Sequence, residues 1–124
     1  MKITSFNPLI VSPDAASLIK LFEDLGFERM HTSDVPTTNE ITNYTFKDAD
    51  GHCVDIADAA NMEKDMTIIR MNVDDFDEAY DMLTARGFKN PKGGKECAVV
   101  TDTNISILMV SPSGFGFDLC HHKK

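Results

Sequence analysis

No apolar stretch in the sequence approaches the ~20 residues that a membrane-spanning helix needs. The opening residues, Met1-Lys2-Ile3-Thr4-Ser5-Phe6-Asn7, lack the long apolar segment of a secretory leader. Cysteine is scarce. Cys53, Cys97 and Cys120 are an odd number, and no pair has CxxC spacing. That argues against a disulfide framework and for a reduced, cytoplasmic setting. Positive charge is also short: 12 Lys and Arg stand against 20 Asp and Glu, for a net charge of −8. Such a surface repels a nucleic-acid backbone or an anionic membrane, so neither is expected as a partner. Its plainest use is solubility. No low-complexity segment is present.

What is there suits one domain. The chain has 124 residues, 42% of them hydrophobic, enough to bury a core. Residues 4–11 form a short apolar-rich run that reads as a buried strand. Ser12-Pro13-Asp14 then reads as a helix start, with Ser12 as cap and Pro13 in the first helical position. Ala15, Leu18, Leu21, Phe22 and Leu25 make a helical apolar stripe, which Gly26 closes. Residues 28–33, 41–47 and 52–57 read as three further strands, with turn chemistry at Asp48-Ala49-Asp50-Gly51.

The pattern then begins again. Residues 67–73 are β-rich. Asp74 or Asp75 caps a helix carrying Phe76, Ala79, Tyr80 and Leu83, and Gly87 ends it. A new strand begins at Phe88. Residues 96–101, 105–110 and 115–121 read as the remaining strands. Leu25-Gly26-Phe27-Glu28 corresponds to Arg86-Gly87-Phe88-Lys89, with Gly26 and Gly87 61 positions apart. Asp50-Gly51-His52-Cys53-Val54-Asp55-Ile56 corresponds to Ser113-Gly114-Phe115-Gly116-Phe117-Asp118-Leu119, with Gly51 and Gly114 63 positions apart. Two residues therefore enter a loop in between. Agreement at cap, helix, closing glycine, late turn and final strand indicates an internal repeat. Module one covers 1–60, module two 66–124, and 61–65 connects them.

These segments resemble the vicinal oxygen chelate superfamily, which includes glyoxalase I, bleomycin-resistance proteins, fosfomycin-resistance enzymes and extradiol dioxygenases. The motifs are Val11-Ser12-Pro13-Asp14 with Leu25-Gly26-Phe27-Glu28, their second-module counterparts from Asn72 to Lys89, and the closing run from Ser111 to Leu119. The resemblance implies an α+β fold of two βαβββ modules. They would form an open, cup-shaped mixed β-sheet with helices outside, in a chain that pairs as a homodimer. In metal-using members the ligands come from the first and last strand of each module. The matching positions are Asn7 and Asp55, then Ile68 and Asp118. The family has His or Glu there, and this sequence has neither.

That departure decides the cofactor expectation. Zinc, iron and nickel favour imidazole or thiolate donors converging on one ion. Ile68 has no donor, and Asn7, Asp55 and Asp118 offer only oxygen. No cofactor is expected; a hard divalent ion on Asn7, Asp55 and Asp118 is the alternative. Strand alternation turns Arg70 and Asn72 inward with Ile68, and Leu9 with Asn7. Cys53 and Ala57 flank Asp55, while Gly116, Cys120 and His122 accompany Asp118. The candidate ligand-binding residues are thus Asn7, Asp55, Ile68, Arg70, Asn72 and Asp118. Arg70 has two readings: a bidentate clamp for a ligand carboxylate or phosphate, or an internal salt bridge to Asp118 or Asp55. Tyr44, Phe46, Phe115 and Phe117 are expected to divide between cup wall and core. Cys53 and Cys120 read as buried and inert. His121-His122 reads as a solvated tail, and His31 as a surface residue of the second strand.

Two functions fit. One is metal-free binding or sequestration of a small molecule, similar to bleomycin-resistance members. The alternative is a glyoxalase-type metal-dependent lyase or isomerase with Asp55 or Asp118 as general base. A fold kept only as an interaction module is the third possibility.

Overall fold

A computed structural model describes residues 1–30 and 42–123. The chain divides into two compact units. One is Asn7–Thr67, and the other joins Met1–Phe6 to Ile68–Lys124. Both are built of α and β elements in the same order.

The first unit holds most of β1 (Ile3–Ser12), then α1 (Ala15–Asp24), β2 (Glu28–Arg29), β3 (Thr42–Lys47) and β4 (Cys53–Asp58). Its strands lie in the order β2-β3-β4-β1, with β1 parallel to β4 and the other pairs antiparallel. Asp14 caps α1 by accepting a hydrogen bond from the Ser17 amide. Ala15, Leu18, Ile19 and Phe22 of α1 pack on Phe46, Val54 and Ile56, so the core lies on one face of the sheet.

The second unit holds β5 (Met66–Val73), α2 (Phe76–Ala85), a single 3-10 turn (Lys95–Cys97), β6 (Val99–Val100), β7 (Asn104–Val110) and β8 (Gly116–His122). The strand order is β5-β8-β7-β6, with β5 parallel to β8. Asp75 caps α2 through the Glu78 amide, and Asp77 and Glu78 complement the helix dipole in the first turn. Phe76, Ala79 and Leu83 pack on Met71, Val73, Ile107, Met109 and Leu119.

The repeat persists in the hydrogen bonding. Both helices end alike. The Gly26 amide donates to Glu23 and Phe27 to Phe22, while Gly87 donates to Thr84 and Phe88 to Leu83. Both glycines have positive φ, 101° and 89°, which a side chain would resist. Leu9 pairs with Asp55 across β1 and β4, and Arg70 pairs with Asp118 across β5 and β8. Glu28 faces Lys47 as Lys89 faces Val110. The 61- and 63-residue spacings thus hold down to the strand register.

Several local expectations need correction. His121 is not a solvated tail but a residue of β8 whose Nδ1 meets the Val73 carbonyl at 2.8 Å, and Cys53 is only partly buried. Ser12 is the last residue of β1, not a helix cap. It is buried, its hydroxyl donates to Asp65 Oδ1 at 2.6 Å, and it accepts from the Asp14 amide at 3.0 Å. Asp14 caps in its place. The strand expected from Phe88 is only an isolated bridge between Lys89 and Val110. The run 96–101 begins as a 3-10 turn, because the Glu96 carboxylate accepts from the Gly94 amide and bends the chain. Tyr44 and Phe46 both pack on the α1 side, and Phe117 packs with the α2 core, so these rings do not divide between two faces. The strand expected over 28–33 is described as far as Met30, one residue beyond β2; residues 31–41, including His31 and the loop that follows, lie outside the described residues. Among the described residues, no helix is long and apolar enough to cross a membrane.

Candidate functional site

In the second unit, alternation along β5 and β8 separates two chemistries. Met71, Val73, Phe117 and Leu119 join the helix-side core. Ile68, Arg70 and Asn72 project from the other face, together with Gly116, Asp118 and Cys120. Cross-strand pairing adds Leu108, opposite Asp118, and Ser106, opposite Cys120.

The centre of this face is an ion pair. Arg70 Nε donates to Asp118 Oδ2 at 2.9 Å, with the two side chains 17% and 18% exposed. They are register partners, so the strands hold the groups opposite each other before any side-chain choice is made. The internal salt bridge was one of the two readings open for Arg70, and Asp118 is an acceptor in it. Beside it the face is apolar and tightly filled. Ile68 is buried, and a methyl group placed on Gly116 would meet Ile68 Cγ2 at 2.9 Å and Leu108 Cδ1 at 3.6 Å. Asn72 donates from its side-chain amide to Ser5 Oγ at 2.8 Å, a contact with the first strand that pattern alone did not indicate. Cys120 is buried, with its thiol on the Asp118 carbonyl at 3.5 Å.

The other candidates belong to the first unit. Asp55 is 2% exposed, between Leu9 on β1 and Thr45 on β3. Asn7 is half-buried on β1.

The residues of the second unit do not fit the divalent ion that the sequence resemblance implies. Ile68 fills its position with hydrocarbon, and the Asp118 carboxylate is held by a guanidinium. A metal site needs several donors aimed at one point.

A different group of metal-capable side chains stands in the first unit. Asp48, Asp50 and His52 place ligand atoms within 4.8 Å of one another. Their spacing, every second residue through the β3–β4 turn, was the available signal. The turn itself engages these atoms. Asp48 Oδ1 accepts from the amides of Asp50 at 3.0 Å and His52 at 2.8 Å, and Oδ2 meets His52 Nδ1 at 2.8 Å. The hydrogen bond to Asp48, then its charge, raises the His52 pKa above 6.5. The same bond holds Asp48 below 3.8. The His52 contribution is therefore complete below pH 6.5 and fades as pH rises through the raised value. The Asp48 contribution is complete above pH 3.8 and fades as pH falls through the lowered value. An NMR titration of the His52 ring should give a midpoint above 6.5, and D48N should bring it back toward 6.5. A wild-type midpoint at or below 6.5 would contradict the pairing.

Nearby, Glu28, Arg29, Lys47 and Asp48 line part of a pocket of about 280 Å³. Arg29 stacks over the Tyr44 ring at 4.7 Å. Charges of both signs meet there.

The fold is that of the glyoxalase/bleomycin resistance/dioxygenase superfamily, the vicinal oxygen chelate fold. A superfamily member from Vibrio splendidus 12B01 is 15% identical, with a TM-score of 0.62 over 97% of this chain and 99% of that one. Methylmalonyl-CoA epimerase from Mycobacterium tuberculosis is 13% identical, with a TM-score of 0.68 over 96% and 88%. Glyoxalase I from Zea mays is 12% identical, with a TM-score of 0.67; the match covers 98% of this chain but only 44% of the maize protein. No protein-family model and no curated protein matches the sequence.

Proposed function

We propose that this chain binds a small organic molecule and does so without the superfamily's divalent ion, in the manner of a bleomycin-resistance-type binding or sequestering protein. The observation that carries the reading is the Arg70–Asp118 ion pair beside Ile68; Ile68 and Asp118 stand at two of the positions that the resemblance assigns to metal ligands. The helix-free face of the second unit combines hydrocarbon from Ile68 and Leu108 with polar groups from Arg70, Asn72 and Asp118. Such a mixture orients an amphipathic ligand through a few hydrogen bonds while apolar contact supplies the affinity. The ion pair neutralises its own two charges, so a ligand of low net charge suits this face best. A homodimer is the working form we propose.

The test is a thermal-shift screen over metabolites and antibiotics of low net charge. A ligand present at 100 times its Kd adds about 2.7 kcal/mol, which moves Tm on the order of 10 °C for a chain of this size. If nothing in a broad panel moves Tm, the reading loses its support.

A second reading is favoured by one observation, the burial of the Asp55 carboxylate, because buried acids cluster at catalytic centres. Under it the chain is a metal-dependent lyase or isomerase, a class to which the named glyoxalase I and epimerase structures draw attention. Elemental analysis of protein purified without chelators, with assays in added Mg²⁺, Mn²⁺, Zn²⁺ or Ni²⁺, separates the two. No bound ion and no activity would end the second reading.

A further inference from the structure

We infer that Arg70 is the residue that closes the second unit to divalent metal: its guanidinium is a resident cation that takes the charge-balancing place of an ion at Asp118. The inference rests on the metal-free reading of this face, and adds to it the residue responsible.

Three observations meet here. First, the contact is direct. Nε lies 2.9 Å from Oδ2, so an ion bound to that oxygen at roughly 2.1 Å would sit within about 5 Å of the guanidinium nitrogen. An arginine cannot yield its charge to relieve that repulsion, because it stays protonated at any working pH. Second, the pair is built into the backbone. Arg70 and Asp118 are register partners on adjacent parallel strands, so the cation cannot leave without losing a cross-strand contact. Third, the repeat supplies its own contrast. The corresponding pair in the first unit is Leu9 opposite Asp55, with hydrocarbon where Arg70 stands. The β5–β8 rung therefore does not need an arginine to form. Ile68 completes the closure by offering no donor, with Gly116 leaving just enough space for its methyl group.

The experiment is Mn²⁺ binding to the full chain, read by electron paramagnetic resonance and by residue-specific broadening of backbone amides. Wild type, R70Q, R70K and R70Q/D118N are compared. Residue-specific broadening separates this face from the exposed Asp48–Asp50–His52 turn, which can attract the same ion. Wild type and R70K should show no broadening around residues 116–120. R70Q should bind Mn²⁺ there about ten- to a hundred-fold more tightly than wild type, since a close unit charge of the same sign has been removed. D118N should abolish the gain. If folded R70Q gains nothing, the inference fails while the proposed ligand binding stands. If wild type itself broadens around residues 116–120, both the inference and the metal-free reading fail, and that result needs no variant to fold. A failed thermal-shift screen alone removes the function and leaves the inference intact.

Discussion

Replacing Phe46 with alanine is expected to destabilise the protein by about 3–5 kcal/mol. The ring is fully buried and packs with Ala15, Val54 and Ile56 in the core under α1. Truncation loses the transfer free energy of the ring and leaves a cavity that β3 and β4 cannot move to fill, because their cross-strand pairing fixes them in place. Domains of this size have only about 5–15 kcal/mol in total, so Tm should fall on the order of 10–20 °C. Urea denaturation monitored by circular dichroism measures it. F46L, which keeps most of the volume, should lose distinctly less. A loss below about 1 kcal/mol in F46A would mean that the ring does not hold this core together.

The second large effect is expected at Ile68 and Gly116. Gly116 has ordinary backbone torsions, so alanine is tolerated there by the chain itself. The obstacle is contact: the new methyl would lie 2.9 Å from Ile68 Cγ2, on a β-branched side chain with little freedom to turn away. G116A should therefore cost about 1–3 kcal/mol as overpacking. I68A alone should cost about 2–5 kcal/mol through the cavity it leaves. In the I68A background, however, G116A should be nearly neutral or favourable, because its methyl enters space that Ile68 has vacated. A double-mutant cycle in urea reads this coupling directly. If the two losses simply added, the tight fit between Ile68 and Gly116 would not be what fills this part of the face.

Much of this fold was legible from local chemistry. Asp75, Gly26 and Gly87 sit where helix capping rules place them, since those rules act within one turn and need no tertiary information. The face carrying Arg70 and Asp118 followed from strand alternation and the repeat spacing once the family resemblance had supplied Asn7 and Asp55 as starting points. Other features escaped for identifiable reasons. Ser12 has the chemistry of a cap, but its hydroxyl is engaged by Asp65, 53 positions away, a contact no local pattern contains. Asn72 reaches Ser5 across 67 positions for the same reason. Residues 96–101 are β-prone in composition, yet a carboxylate two residues from Gly94 captures its amide and turns the chain. The turn at Asp48-Ala49-Asp50-Gly51 was visible, but the convergence of His52 with Asp48 and Asp50 was not, because it depends on Asp48 binding two amides of the turn at once.

The matching registers carry a further consequence. In a doubled fold every rung of one half has a twin in the other. Here the pairing survives in the backbone register while the chemistry of the rungs differs: Leu9–Asp55 answers Arg70–Asp118, and Val11–Ala57 answers Asn72–Cys120. The backbone therefore tolerates either a hydrocarbon or a guanidinium opposite the same carboxylate. Exchanging these two residues singly, L9R or R70L, asks what each half permits with the other half as its built-in reference. In this molecule the two halves share the register of their central rungs and differ in the chemistry those rungs carry.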